Sequence, residues 1–448
     1  MSQLLQRDDG ATERRAALER GEVPVAVYGL GKMGLPLAAV YADVTGNVTG
    51  VDIDESVVER IRNGECPVER EPGLPELVAR LVADGSLDAS ADPAAAAADA
   101  SVHVVIVPTL VDDDDEPDLS AVRAVAGDIA AGIDRGDLVV VESTLPPGTT
   151  ETVVRPLIES ESGLPPDSFG LAFCPERTSS GRALRDIRGT HPKIVGGVTP
   201  ESTRAAVDVY EALVDNEVVP VTDATTAEMV KVFEGLYRDV NIALANELAR
   251  FTDELDRDVR EAIAAANTQP YCDIHAPGIG VGGHCIPYYP YFVINWLTTE
   301  APLLETSRSI NDATPAFVAE KALEGLAVTG TEPMDATALV MGLTYRAGVR
   351  ETRASPAYGV CDRLSEAGVE VLATDPLVDA EGFAATGVDL VDAFDEDLDA
   401  VVLVTDHEEY EAVDWASVPG PLSVVDSRDA LDLSGTDHLA YTVGRGYE

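Results

Sequence analysis

Apolar residues come in short bursts along this chain, and most bursts end at once in a turn or a helix. Val23-Pro24-Val25-Ala26-Val27-Tyr28 predicts a strand that runs directly into Gly29-Leu30-Gly31-Lys32-Met33-Gly34 and an apolar helix from Leu35 to Tyr41. Val48-Thr49-Gly50-Val51 predicts the next strand, ending at Asp52. Further strands are expected at Val102–Val107, at Leu138–Val141 and up to Phe173, with Ile194–Gly197 as the last of this first half. From Thr222 the period changes. Met229, Phe233, Leu236, Tyr237, Val240, Leu244, Leu248, Phe251 and Leu255 fall at three- and four-residue steps, which predicts one long amphipathic helix serving as connector between domains and as a dimer interface. A helix carrying Arg308 and Asn311 follows, then a second alternating pattern with strands at Ala338–Leu343, Val369–Leu372 and Ala400–Val404, ending near Ser423–Asp426. Residues 1–20 read as a charged helical extension without evident function.

Apolar strands alternating with helices imply parallel sheets. The expected fold is therefore α/β, with two Rossmann-like doubly wound parallel-sheet domains joined by a long central helix, placing two nucleotides face to face. A length of 448 residues fits two or three domains, and 45% hydrophobic residues suffice for sizeable cores.

Charge changes the picture more than length does. The chain has 80 acidic and 31 basic residues, a formal net charge of −49, which argues against nucleic acid and anionic lipid as partners. Only Lys32, Lys193, Lys231 and Lys321 are lysines, so arginine supplies nearly all the positive charge; this composition predicts a salt-adapted, halophilic protein. Five widely spaced cysteines without a C-x-x-C pair indicate neither a disulfide framework nor a zinc site, and the acidic run Asp112–Glu116 lacks the spacing of a calcium loop, so no metal is expected. The N-terminus lacks a signal-peptide apolar region, and no run approaches the ~18 apolar residues of a membrane span; a cytoplasmic location without membrane attachment is expected.

Candidate chemistry gathers at strand ends and in one glycine-rich loop. In Gly29-x-Gly31-x-x-Gly34 the first glycine allows the tight turn, the second lets the backbone approach a pyrophosphate, and the third lets the helix pack closely on the strand. Asp52 stands where an acid binds adenosine ribose hydroxyls, with Asp54 two residues on as the alternative acid, and the charge of Asp52 favours NAD over NADP. Thr109 and Thr144 follow strand C-termini and are placed to face a cofactor, while Arg346, Arg353 and Arg428 are placed to hold diphosphate or carboxylate oxygens. Gly278-Ile279-Gly280-Val281-Gly282-Gly283-His284-Cys285 ends a nearly bare backbone in one thiol, the arrangement of a nucleophile beside a closely approached substrate. Lys231 on the long helix is one of the few retained lysines, which makes it a functional candidate.

Taken together, Gly29–Pro36, Glu71-Pro72-Gly73-Leu74, Ser143–Thr149, Pro175-Glu176, Ala227–Lys231, Gly280–Cys285 and Thr352–Pro356 resemble the UDP-glucose/GDP-mannose dehydrogenase family from residue 23 to about 430. Cys174–Arg177, Tyr237–Leu248 and Gly282–Pro287 are most similar to its UDP-N-acetylmannosamine dehydrogenase branch. The resemblance implies NAD-dependent four-electron oxidation of a UDP-sugar at C6 to the uronate, for surface polysaccharide or glycan synthesis. It implies a Cys285 thiohemiacetal and thioester, Lys231 at the developing oxyanion, and Glu176 and Thr144 positioning water. It further implies NAD contacts from Lys32, Met33, Asp52, Thr109, Thr144 and Arg353. Substrate contacts are implied for Arg177, Thr178, Lys231, Arg238, Gly282, Tyr345, Arg346 and Arg428. The corresponding division is an extension over 1–20, an NAD-binding domain over 21–205, a central dimerisation region with Lys231 and Cys285 over 206–325, and a UDP-binding domain over 326–448.

The chain departs from the family pattern at Gly235, where the family has Asn, at Tyr289, where it has Asp, and in lacking a basic residue near Gln269 and Tyr271. Either hydrolysis is handled differently or the substrate differs. UDP-glucose and UDP-N-acetylglucosamine remain alternative substrates, and a catalytically silent nucleotide-sugar-binding protein is the alternative of another class.

Overall fold

The computed structural model describes residues 10–112, 114–179 and 181–447, and divides into two compact units. The first runs to Glu234 and takes in Tyr291–Leu297; the second holds Gly235–Pro290 and the chain from Thr298 onward.

The first unit contains β1 (Val25–Tyr28), β2 (Val48–Val51), β3 (Leu87–Ser90), β4 (Val102–Val105), the hairpin β5 (Leu110–Val111) and β6 (Pro117–Asp118), β7 (Leu138–Val141), β8 (Gly170–Phe173), β9 (Lys193–Gly197) and β10 (Val218–Pro220). Among the described residues its main sheet has the order β10-β9-β8-β7-β4-β1-β2-β3, parallel throughout except where β8 meets β9. Every residue of β1, β4, β7 and β8 is buried, as expected for strands covered on both faces. The order reverses between β1 and β4, the crevice where doubly wound sheets bind ligands. β10 lies beyond the strand read as the last. Its three residues, one of them proline, are too few for a periodic signal.

The second unit contains β11 (Thr337–Met341), β12 (Glu370–Thr374), β13 (Thr386–Gly387), β14 (Ala400–Leu403), β15 (Ser423–Asp426), β16 (Leu439–Thr442) and β17 (Gly446–Tyr447), in the order β13-β12-β11-β14-β15-β16-β17. Among the described residues of this sheet only β16 and β17 are antiparallel to one another. The sheet therefore continues past Ser423–Asp426, where the apolar pattern ends. Val318, Ala319, Ala322 and Leu326 of the helix Pro302–Thr329 share a core with Val360, Cys361 and Leu364 of the helix Pro356–Glu366 and with Ala338 and Val340 of β11.

The central helix is shorter than its pattern predicts. It spans Ala224–Ala249, 26 residues, and Phe251–Leu255 forms a separate short helix after Arg250. Its buried positions are also different. Ala224, Ala227, Glu228, Val232, Gly235, Asp239, Ala243 and Asn246 are buried, whereas Phe233, Tyr237 and Leu244 of the apolar stripe are exposed, as are Phe251 and Leu255 beyond it. Small side chains let neighbouring backbone come close, and intramolecular packing uses that face; the large apolar residues lie on another.

The first nine residues of the predicted N-terminal extension lie outside the described residues. Ala11–Glu19 is a helix whose Ala17 and Leu18 are buried in the first core, and Arg14 donates to Asp208 at 2.6 Å. Among the described residues no helix is long and apolar enough to cross a membrane.

Candidate active site

The turn after β1 is shaped by its glycines. Gly29 has φ +96°, and a Cβ on it would lie 2.5 Å from the Ile106 carbonyl oxygen; a Cβ on Gly34 would overlap the Gly29 carbonyl. Gly31 has no atom within 4 Å of its would-be Cβ, so its backbone faces open space. Asp52, just past β2, accepts Leu30 N–H at 2.8 Å and Asp54 N–H at 3.0 Å and stays half-buried. An uncovered glycine backbone at a helix start, with a carboxylate beside it, fits a dinucleotide. At the ends of β4 and β7, Thr109 donates its hydroxyl to the Thr144 carbonyl at 2.6 Å, so this pair ties two loops together.

The second unit repeats the device with a different outcome. Gly342 follows β11 with φ +92°, and Asp375 after β12 accepts Leu343 N–H at 2.7 Å and Thr344 N–H at 2.9 Å. Here His407 at 3.1 Å also binds the carboxylate, whose side chain is fully buried. Burial alone would raise the Asp375 pKa, but His407 and the backbone N–H groups hold it at about 2.

Within the first unit the structure brings Glu176, Thr178, Arg177, Met33 and Lys231 together. Lys231 donates to the Glu176 carbonyl, with its ammonium 3.4 Å from a carboxylate oxygen; the other oxygen accepts the N–H and hydroxyl of Thr178. Thr178 lies 3.0 Å from the Met33 sulfur. Burial pushes the Glu176 carboxyl up, but Lys231, the Thr178 hydrogen bonds and Lys193 outweigh it and keep it below its ordinary value. Arg177 donates to the Pro192 carbonyl at 3.0 Å and pairs with Glu234 at 2.5 Å.

Two features of this centre are missed by sequence reasoning. Lys193 donates to the Pro175 carbonyl at 3.3 Å and to Glu142 at 2.7 Å, so two of the chain's four lysines hold adjacent carbonyls of the turn that carries Glu176. Glu228, one turn before Lys231, is fully buried and accepts Gly148 N–H at 2.5 Å, Thr150 N–H at 2.7 Å and Thr150 Oγ1–H at 2.6 Å. Burial raises its carboxyl to about 7 despite those bonds. Scarcity of lysine is the available signal for Lys193; Glu228 lies within the Ala227–Lys231 motif, from which only Lys231 is singled out.

In the second unit the loop glycines serve the chain's own packing. A Cβ on Gly282 would lie 2.7 Å from the Ala354 carbonyl oxygen and 2.8 Å from Tyr345 Cβ, and one on Gly283, at φ +93°, would lie 2.8 Å from the Tyr345 ring. On their Cβ side the close approach they permit is to Tyr345 and Ala354. Gly283 N–H donates to the Arg353 carbonyl at 2.9 Å. The loop starts from a buried polar network. Gly278 N–H donates to Asn246 at 2.8 Å, Asn311 donates to Asp239 at 2.9 Å, and Arg308 donates to Asp239 at 2.6 Å. Cys285 is the exposed cysteine of the five; Cys174 and Cys361 are buried, which pushes both thiols up, Cys361 to about 12. Burial first, then Glu351 and Cys285, raises the Tyr345 phenol. Arg428 donates to the Val404 carbonyl at 2.8 Å and approaches Gly278, and burial lowers its pKa; Arg238, Arg346 and Arg353 are exposed.

The sequence matches three consecutive domains of one family: the UDP-glucose/GDP-mannose dehydrogenase NAD binding domain over residues 23–214, its central domain over 225–313 and its UDP binding domain over 339–433. The chain belongs to this family. It is an NAD-dependent nucleotide-sugar dehydrogenase, and Gly29–Gly34 belongs to the NAD binding domain of the family. It is similar to the UDP-N-acetyl-D-mannosamine dehydrogenase of Pyrococcus horikoshii, 36% identical over 426 residues, covering 94% of this chain and 99% of that one. An NDP-N-acetyl-D-galactosaminuronic acid dehydrogenase of Ralstonia nicotianae is 37% identical over 414 residues, covering 90% and 95%. The structure of the UDP-D-ManNAc dehydrogenase from Pyrococcus horikoshii superposes with a TM-score of 0.87 at 35% identity, covering 94% of this chain and 99% of that one. This family's combination of an NAD and a UDP binding domain accords with the two sheets of like order described above.

Proposed function

We propose that this dehydrogenase oxidises C6 of UDP-N-acetyl-D-mannosamine to the carboxylate in two steps through a covalent adduct on Cys285. The observation that carries the reading is Cys285 itself, the exposed thiol at the end of a loop held by a buried network. The named UDP-N-acetyl-D-mannosamine dehydrogenases among its relatives support the choice of sugar.

NAD, when bound at Gly29–Gly34, supplies the hydride acceptor for both oxidations. Lys32, Met33, Thr109, Thr144 and Arg353 contact it in this reading, and Asp52 takes the adenosine ribose hydroxyls. The alcohol first loses a hydride and a proton to give an aldehyde. The Cys285 thiolate adds to the aldehyde carbon, forming a C–S bond and an oxyanion that takes a proton. Loss of a second hydride and that proton converts this thiohemiacetal to a thioester, and water then breaks the C–S bond, releasing carboxylate and thiol. Lys231 stabilises the oxyanion as a compact positive charge, while Glu176, ionised because lysines and Thr178 surround it, positions water with Thr144. Arg177, Thr178, Arg238, Gly282, Tyr345, Arg346 and Arg428 bind the UDP-sugar.

NADH formation measured over UDP-N-acetylmannosamine, UDP-N-acetylglucosamine, UDP-N-acetylgalactosamine and UDP-glucose, with NAD and with NADP, tests this reading. UDP-N-acetylmannosamine with NAD gives the highest kcat/KM. A preference for UDP-glucose overturns the substrate, and equal rates with NADP overturn the role of Asp52.

We also propose that a second copy of the chain covers Tyr237, Leu244, Phe251 and Leu255, which are 41–60% exposed along the central helix and its continuation. Light scattering is expected to give a dimer for the wild type and a monomer for Leu244→Glu; an unchanged mass for the variant removes this face from the interface.

A further inference from the structure

Gly235 is a glycine without a conformational reason. It sits inside the helix Ala224–Ala249, where glycine is disfavoured relative to alanine, and it is not among the residues with positive φ. The space in front of it explains the choice. A Cβ on Gly235 would fall well inside 3.0 Å of Tyr289 Cδ2, 3.1 Å from Cγ and 3.2 Å from Cβ, so the tyrosine ring lies directly on the helix backbone. Tyr289 is 7% exposed. Its N–H donates to the Cys285 carbonyl at 3.0 Å, and Tyr288 N–H donates to the same carbonyl at 3.1 Å. A single wound turn thus has the thiol at its start and, at its end, a ring seated on a position bare of side chain.

We propose that Gly235 and Tyr289 are positioning residues for Cys285: the ring, set in the gap that Gly235 leaves, fixes the turn that aims the thiol. This rests on the reading of Cys285 as the nucleophile and adds what holds it. Their effect passes through the Cys285 carbonyl, which accepts the Tyr288 and Tyr289 N–H groups, and through the turn. The second oxidation and thioester hydrolysis need the thiol in place, whereas forming the aldehyde does not. Damage to the fit therefore falls on the second half of the reaction.

The test uses the full-length protein. Gly235→Ala puts a methyl group where the ring lies, displaces the turn, and lowers uronate formation by about 100-fold, the scale of a misplacement of about 1 Å at a reacting group. KM for the UDP-sugar changes much less than kcat, because most of the groups proposed to bind it lie on other segments. NADH formed per sugar consumed falls from two toward one, with aldehyde captured by semicarbazide. Tyr289→Phe keeps the ring and retains two NADH per sugar. In Gly235→Ala/Tyr289→Ala the collision is gone, so the double variant loses less than the product of the two single losses. Tyr289→Ala alone frees the turn without a collision, and the rate of Cys285 alkylation by iodoacetamide changes in it, a readout available even if Gly235→Ala folds poorly. The inference is overturned if Gly235→Ala makes uronate at the wild-type rate with two NADH per sugar. It is also overturned if the single effects multiply in the double variant and Cys285 alkylation is unchanged in Tyr289→Ala. Wild-type behaviour of Gly235→Ala alongside an inactive Cys285→Ala removes only the positioning inference; an active Cys285→Ala removes the nucleophile reading as well.

Discussion

Cys285→Ala binds NAD and UDP-sugar but forms no uronate above a rate on the order of a thousandfold below wild type, the scale on which enzymes lose rate with their covalent nucleophile. Cys285 is exposed, so the substitution leaves no cavity. The loop is held by Gly278 to Asn246 and Gly283 to Arg353 through backbone N–H groups, which alanine does not disturb. At most one NADH per sugar appears, because the aldehyde has no thiol to carry it to the second oxidation. Cys285→Ser is the more discriminating variant. An alkoxide is a poorer leaving group than a thiolate, so an ester formed on serine hydrolyses slowly and accumulates. Intact-mass measurement after incubation with UDP-N-acetylmannosamine and NAD then finds the protein heavier by the uronyl group. Two NADH per sugar at the wild-type rate from Cys285→Ala would make Cys285 a packing residue and end the covalent mechanism.

Much of this architecture is readable before any coordinates, because it rests on local chemistry. A strand feeding Gly29-x-Gly31-x-x-Gly34 and a helix can be recognised within a few residues, and so can an acid one strand later at Asp52. Short elements are not readable in this way. β10, β13 and β17 have two or three residues each, and their place is set by the edge they join rather than by a period of their own. The central helix fails for another reason. Hydrophobic periodicity finds the large residues Phe233, Tyr237 and Leu244, whereas the buried face is built from alanine, Gly235 and the polar side chains Glu228, Asp239 and Asn246. A buried carboxylate in a helix reads in sequence as a solvated one until its partners are known: Gly148 and Thr150 for Glu228, Arg308 and Asn311 for Asp239. Gly235 and Tyr289 are visible singly as departures from a family pattern, but their contact spans 54 residues of chain and exists only in the fold.

Stability is expected to rise steeply with salt. The formal net charge is −49, and the chain's 31 lysines and arginines are few beside 80 carboxylates. Several of those cations are already committed to partly or fully buried pairs, such as Lys193 with Glu142 at 2.7 Å and Arg308 with Asp239 at 2.6 Å. Such pairs are weakly screened and hold at any salt concentration. The exposed carboxylates left over repel one another across a Debye length of about 10 Å at 0.1 M, which shrinks to about 3 Å at 1 M. Salt therefore relieves the repulsion and leaves the buried pairs alone, so its net effect on folding is stabilising. For a unit of roughly 200 residues each kcal/mol relieved moves Tm by about 2–4 °C, so relief of about 3–4 kcal/mol raises it by about 10 °C between dilute buffer and molar KCl. NaCl at matched ionic strength gives the same rise if screening is responsible, because the Debye length depends on ionic strength and not on the ion. A Tm that stays flat from 0.1 to 2 M KCl would show that the acidic surface contributes nothing to stability through charge.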